Sequence, residues 1–362
     1  MELGFGTDYT PVDVTVLSHS VEPEGTITRE WELIMSAANE SSDHAARAEA
    51  ASVGPYAMEQ IAEDIVRLAR SYVHAPPLPL FDELTRVRDR AYWMLDQTSR
   101  PDQRRDLYLL AGQACGLLAS ASFDLGYPAA ASEQARAARA YGDVTGHAEL
   151  RAWADGMLAC IEFWAGHPSR ALSLVERGLD DAPTGTPRIR LLSIGARAAA
   201  LQGDAAYVNK ALQTARQVDG GAHEMHDEIG GEFGFDEARH AFCSGSAYVT
   251  LGRSSEAIDE CRRALELYRS VPVQQRWYAA EASASVDLSI AYLLAGDTSG
   301  AAEALSPVFG LPMEKRVEGL VKRITQVRAV LATVGGHEAS ELAERIEHFS
   351  ADSITRILPA DS

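Results

Sequence analysis

Apolar residues recur at three- and four-residue spacing along most of this chain. Met58, Ile61, Ile65, Leu68 and Tyr72 mark one face of a helix. Ser52 followed by Pro55 reads as its start, because proline is tolerated in a first helical turn, and Pro76, Pro77 and Pro79 stop it. Leu84, Val87, Ala91 and Leu95 mark the next helix, and Ser99 with Pro101 opens another. Trp31, Ile34 and Met35 place an earlier helix between Arg29 and Ala51. Before it, glycines and prolines interrupt residues 1–28, which are expected to be poorly ordered. Alternating runs of β-branched residues are nearly absent, so little or no sheet is expected.

From Pro101 onward a punctuation mark repeats. Gly126, Gly166, Gly203, Gly252, Gly296 and Gly336 each follow one alanine-rich helix and precede another, at separations of 40, 37, 49, 44 and 40 residues. The tetratricopeptide unit repeats every ~34 residues, so the excess is assigned to loops. Glycine between two helices supplies a left-handed backbone at low cost. Five residues later the second helix must pass close to the first. Ala131, Ala171, Ala257 and Ala301 stand there, with Val208 the exception. Seven further on stand Ala138, Gly178, Ala215 and Ala264, with the larger Val308. Pro183, Pro272 and Pro312 end units. The expected fold is all-α: a tetratricopeptide-type repeat solenoid, a right-handed superhelix of antiparallel helix pairs. Packing helices are expected over 29–100, the array over 101–348 and a tail over 349–362.

Charge narrows the partners. Lys and Arg number 33 against 52 Asp and Glu, a net −19 that repels DNA phosphates. Arg100, Arg104 and Arg105 are the nearest approach to a basic patch, and Asp102 and Asp106 dilute them. Direct nucleic-acid binding is therefore not expected. Cys115, Cys160, Cys243 and Cys261 sit singly in apolar helical stretches and read as buried free thiols in a reducing compartment. No run has the basic start and apolar core of a signal peptide or the length of a membrane span, so a cytoplasmic location is expected.

Several stretches resemble the C-terminal repeat region of actinobacterial helix-turn-helix (Xre-type) transcriptional regulators. They are Arg29-Glu30-Trp31-Glu32 with Met35, the Pro101–Gly126 segment with Leu117-Leu118-Ala119 and Asp124-Leu125-Gly126, and Leu150-Arg151-Ala152-Trp153. The most telling is His226-Asp227-Glu228-Ile229-Gly230-Gly231-Glu232-Phe233. The resemblance covers about residues 29–335. It implies a regulator whose repeats sense a ligand or partner and mediate homodimerisation. In that family a DNA-binding domain precedes the repeats. Here only 28 residues precede Arg29, so the DNA-binding half is expected to be absent from this chain. The apolar helix Val317–Val334 is a second reason to expect a dimer.

No catalytic constellation or cofactor motif emerges. There is no phosphate-binding loop and no Gly-x-Ser-x-Gly elbow. His223-Glu224-Met225-His226-Asp227-Glu228 has its histidines three apart rather than four, between Gly220-Gly221 and Gly230-Gly231, and reads as a polar loop rather than a metal-binding helix. His240 and Cys243 share a helix face without forming a reactive pair, and Gly245 beside them reads as an aid to helix packing. Neither an enzyme nor a metal is expected.

The groove is the better candidate. The first helix of each unit lines the concave face of such arrays. Counting back from each glycine gives Phe123 and Asp124, then Trp153, Phe163 and Trp164, then Arg190 and Arg197, then Arg239 and Phe242. Arg190 and Arg197 are two turns apart on one face. Aromatics beside arginines suit an amphipathic anion, by stacking and charge-assisted hydrogen bonds. The function expected is a regulatory sensor or adaptor binding a small molecule, peptide or protein partner. The alternatives are a protein–protein scaffold without a small ligand, told apart by whether the concave face is a closed pocket or an open channel, and a regulator that binds DNA directly.

Overall fold

The structure is a computed structural model and describes residues 25–48 and 53–353. It falls into two units, residues 1–51 and 52–362. In the first, the described part is one helix, α1 (Gly25–Ala48), which begins four residues ahead of Arg29. Its Trp31, Leu33 and Ile34 are exposed. Residues 1–24 of the segment expected to be poorly ordered, and most of the expected tail after Ser353, lie outside the described residues.

Among the described residues the second unit is all helical. Its elements are α2 (Pro55–Tyr72), α3 (Pro77–Gln97), α4 (Pro101–Asp124), α5 (Pro128–Thr145), α6 (Ala148–Trp164), α7 (Pro168–Asp181), α8 (Thr186–Leu201) and α9 (Ala205–Gln217). They continue with α10 (Glu237–Thr250), α11 (Ser254–Arg269), α12 (Tyr278–Leu294), α13 (Thr298–Phe309), α14 (Glu318–Val334) and α15 (His337–Ala351). Proline opens α2, α3, α4, α5 and α7, where its missing N–H has no partner to lose. No described helix is long and apolar enough to cross a membrane.

Five of the six punctuating glycines share one geometry, while Gly336 instead caps the start of α15 at φ 96°. Gly126, Gly166, Gly203, Gly252 and Gly296 all lie at φ between 72° and 91°. After each, the next residue's N–H donates to the carbonyl five residues back: Tyr127 to Ser122, His167 to Glu162, Asp204 to Ala199, Arg253 to Tyr248, Asp297 to Tyr292. That bond closes the open end of the preceding helix, and only glycine enters its left-handed corner without strain. The chain reverses there, so Ala131, Ala171, Val208, Ala257 and Ala301 press fully buried against the preceding helix.

Two layers result. Helices α4, α6, α8, α10, α12 and α14 each pack on the next of that series, forming an inner layer, while α5, α7, α9, α11 and α13 cover it from outside. Several inner helices are enclosed on every side along their middles. Residues 111–123 of α4 are buried without interruption, and so are residues 190–200 of α8 and 282–291 of α12. Alanine, serine and glycine fill these runs because inner helices must approach closely.

The series also curls back on itself, so that α14 packs against α4. The two ends of the inner series thus meet across the concave face. The apolar face of α14 (Leu320, Ile324, Val327, Leu331) is buried in the core it shares with α12, α13 and α15. Those side chains are therefore covered within the chain.

Candidate functional site

The concave interior holds a partly open cavity of about 160 Å³. Seven of the nine expected groove residues line it: Phe123 and Asp124 at the end of α4, Trp164 at the end of α6, Arg190 and Arg197 on α8, and Arg239 and Phe242 on α10. The other two do not. Trp153 is fully buried between layers, its ring edge-on to Phe233 at 5.3 Å and pressed against Gly116, where a Cβ would come within 3.0 Å of the indole. Phe163 lies behind the wall and supports it, with its ring 4.4 Å from the Arg197 guanidinium.

Ser120, Met157, Cys160, Ile194 and Cys243 of the same helices fill in the wall, and part of it comes from a segment read in the sequence as a loop. Residues 218–236 join α9 to α10, and part of the segment turns inward. The His223–Glu228 stretch holds one short π-helical turn, Glu224–Ile229, followed by a 3₁₀ turn, Gly231–Phe233. Met225, His226, Ile229 and Phe233 are buried. Arg70 of α2 fastens the segment, donating to the carbonyls of Ile229 (3.1 Å) and Glu228 (2.8 Å). Thr186 donates to Asp227 at 2.8 Å, and the Met225 N–H donates to Glu149 at 3.0 Å. His223 and His226 both face Glu149, at 3.4 and 3.5 Å. Among the described residues no three ligating side chains come together. Glu232 and Phe235 of this segment enter the cavity wall, as does Trp277 ahead of α12. Beyond Phe235, Arg239 and Trp277 lies a second, more open space of about 570 Å³.

Four buried arginines surround the interior, and they differ in what they touch. Arg190 donates to the Trp153 carbonyl at 2.9 Å, in space that Gly156 leaves open: a Cβ there would lie 2.2 Å from Nη1. Arg239 donates to the carbonyls of Gly231, Glu232 and Gly234, and its guanidinium lies 3.4 Å from the Trp277 ring centre. Arg323 of α14 is ion-paired with Asp287 of α12, Nη1 standing 2.6 Å from each carboxylate oxygen. Arg197 is different. It is 7% exposed, and its Nε and Nη2 are buried with no hydrogen-bond partner. Around it stand Phe163, Trp164 and Phe242, the last two with ring centres at 5.8 Å.

The acids gather elsewhere in the wall. Ser120 donates to Glu232 Oε1 at 2.7 Å, while Oε2 is buried without a partner. Tyr72 donates to Asp124 at 2.8 Å. Burial raises the Glu232 carboxyl above its ordinary value, against the pull of Arg239. Burial, reinforced by neighbouring Glu232, pushes Asp124 up to about 7, against the hydrogen bond from Tyr72.

A stability effect follows for Asp124. Its ordinary value is 3.8. Between about pH 4 and pH 7 the unfolded chain releases a proton that the folded chain keeps, so stability falls as pH rises and levels off above about 7. Asp124→Asn still accepts from Tyr72 and has no such dependence. It should gain on the native protein across this window by about 2–4 kcal/mol, the lower figure if water in the cavity screens the charge. Melting temperatures of both proteins from pH 4 to 8 check this. A constant or narrowing difference would contradict the account.

Near the cavity, His240 shares a hydrogen bond with Ser193 (2.8 Å). Burial and the nearby Arg216 and Arg263 depress it to about 4, and burial raises the Cys243 thiol. A raised thiol beside a neutral imidazole is no nucleophile. Gly245 acts in packing, since a Cβ there would stand 2.5 Å from Cys261 Sγ. All four cysteines are free; Cys115, Cys243 and Cys261 are buried and Cys160 is half-buried.

Compared with protein-family models and with curated proteins, the chain matches none.

Proposed function

We propose that the chain is a cytoplasmic sensor built on tetratricopeptide-type repeats, whose interior cavity binds a small amphipathic anion. The observation that carries this is Arg197. A guanidinium without a counter-ion in a low-dielectric interior costs several kcal/mol. Its neighbour Arg323 has Asp287 at hand, while Arg197 has aromatic faces and two vacant donors. A carboxylate or similar anion supplies the missing acceptors, and Trp164 and Phe242 flank its apolar body. Contact of α14 with α4 favours a small molecule over a peptide or protein lying in an open channel.

The glycine and small-residue spacing supports the repeat type. The resemblance to the effector half of helix-turn-helix regulators supports a regulatory role. Ligand binding shifts the population between a closed and a more open ring, and the terminal helices report the change.

Native mass spectrometry of the protein, purified gently from its own host, tests the reading. The native chain should carry a small-molecule mass, and Arg197→Met, folded by circular dichroism, should have lost it. The same mass on both proteins, or none on either, would overturn the reading.

A further inference from the structure

The cavity has a second vacant group, opposite in charge to the first. Arg197 offers Nε and Nη2, and Glu232 offers Oε2, all buried and unpartnered. No ion pair joins these two residues. Had they been within reach, pairing would remove both desolvation costs at once. Instead they belong to different levels of the cavity. The cations that act on Glu232 are Arg239 and Arg190. Arg190 lies seven residues before Arg197 on α8, about 10 Å along the axis at 1.5 Å per residue.

At the Arg197 level the surroundings are cationic and aromatic, with Arg323, Trp164 and Phe242. At the Glu232 level Asp124 adds a second acid. The nearest cations there are already engaged: Arg190 with a backbone carbonyl, Arg239 with three carbonyls and the Trp277 face. The cavity as a whole, about 160 Å³, is near the size that takes up one benzene ring.

We propose that the ligand is a small zwitterion, with its acid and its amine at opposite ends of an apolar body about one ring long. The acid pairs with Arg197. The ammonium donates to Glu232 Oε2 and lies beside Asp124, which relieves the repulsion between the two carboxyls. The ring lies against Trp164 and Phe242. This rests on the cavity being a ligand site and goes further by fixing which two ends the ligand must have. It also accounts for a carboxyl facing into a cavity otherwise suited to anions, which a simple anionic ligand would find repulsive.

Three compounds of one shape separate the possibilities: 4-(aminomethyl)benzoate, 4-methylbenzoate and 4-methylbenzylamine. They carry both charges, only the acid, and only the amine. Titration calorimetry on the full chain at pH 7.5 should show the first binding at least about tenfold tighter than either of the others, or roughly 1.4 kcal/mol. Glu232→Gln should cancel that advantage, with 4-methylbenzoate binding more tightly than to the native chain because the carboxyl that repels it is gone. Arg197→Met should weaken both acids by about tenfold or more.

If 4-methylbenzoate binds as tightly as the zwitterion, this inference fails while the anion-sensor reading stands. If none of the three binds yet the native protein carries a small mass, the inference again fails alone. If none binds and no mass is found, both fail. Should Glu232→Gln not fold, the ranking of the three compounds on the native chain decides by itself.

Discussion

Replacing Arg323 with methionine should lower the stability of the chain by about 3–5 kcal/mol, the loss expected when one partner of a buried ion pair is removed. Arg323 is 4% exposed and Asp287 1%. Nη1 reaches both carboxylate oxygens and also donates to Ser246 on α10 at 3.2 Å. The guanidinium lies 5.2 Å from the Trp164 ring centre and 4.9 Å from that of Phe242. One side chain thus ties α14 to α6, α10 and α12. Without it Asp287 is left charged in the core, and desolvation rather than lost packing sets the size of the effect. Arg197→Met is the contrast. That guanidinium is buried to a similar degree but has no counter-ion, so its removal strands no charge. Its effect on stability should lie within about 1 kcal/mol and have a favourable sign, because the ring contacts it forfeits are offset by the desolvation it relieves. Urea denaturation of the two variants beside the native chain tests the pair. Equal losses would show that Arg197 has a structural counter-ion after all, and would remove the main support for a ligand at that position.

How far the sequence reveals this arrangement depends on the range of the interaction concerned. The turns were legible because their cause is local: a left-handed glycine and a carbonyl five residues back lie in one short stretch. Seven of the nine residues expected in the groove do line the cavity for a related reason, since residues of one phase relative to the closing glycine share a face of their inner helix. Trp153 shows the limit. Residues 152–159 of α6 are buried on all sides, so phase alone does not separate the face toward the cavity from the face toward the next layer. Glu232, Phe235 and Trp277 were missed because they come from between helices. The separation of 49 residues from Gly203 to Gly252 was the visible trace of the inserted segment, and it was assigned to loop. Phe233 and Phe235, alternating with glycines at 230, 231 and 234, were the available sign that this loop is buried. Contact between α14 and α4 spans the whole array and has no local signature. With it went the meeting of the two ends of the inner series, and with that the fate of the apolar face of α14.

Gly231→Ala should be among the most damaging single substitutions in the chain, by about 3 kcal/mol or more. Two causes act together. At φ 57° an alanine carries the left-handed penalty of roughly 1 kcal/mol. The larger cause is space: the new Cβ would lie 2.1 Å from the Ala69 carbonyl oxygen and 2.6 Å from the Arg70 nitrogen. Both are helix α2 backbone, which cannot swing aside as a side chain can. The inserted segment must therefore lift from α2, and the bonds from Arg70 to residues 228 and 229 go with it. Glu232 and Phe235 are carried by the same segment, so the cavity loses part of its wall together with its acid end. The expected picture is a lowered melting temperature, new protease cleavage confined to residues 218–236, and loss of the small-molecule mass. Gly203→Ala is the control. It has a similar left-handed φ of 72° and no atom within 4 Å of its Cβ, so only the conformational penalty should appear. Equal losses in the two variants would mean that the close approach to α2 does not hold the segment in place.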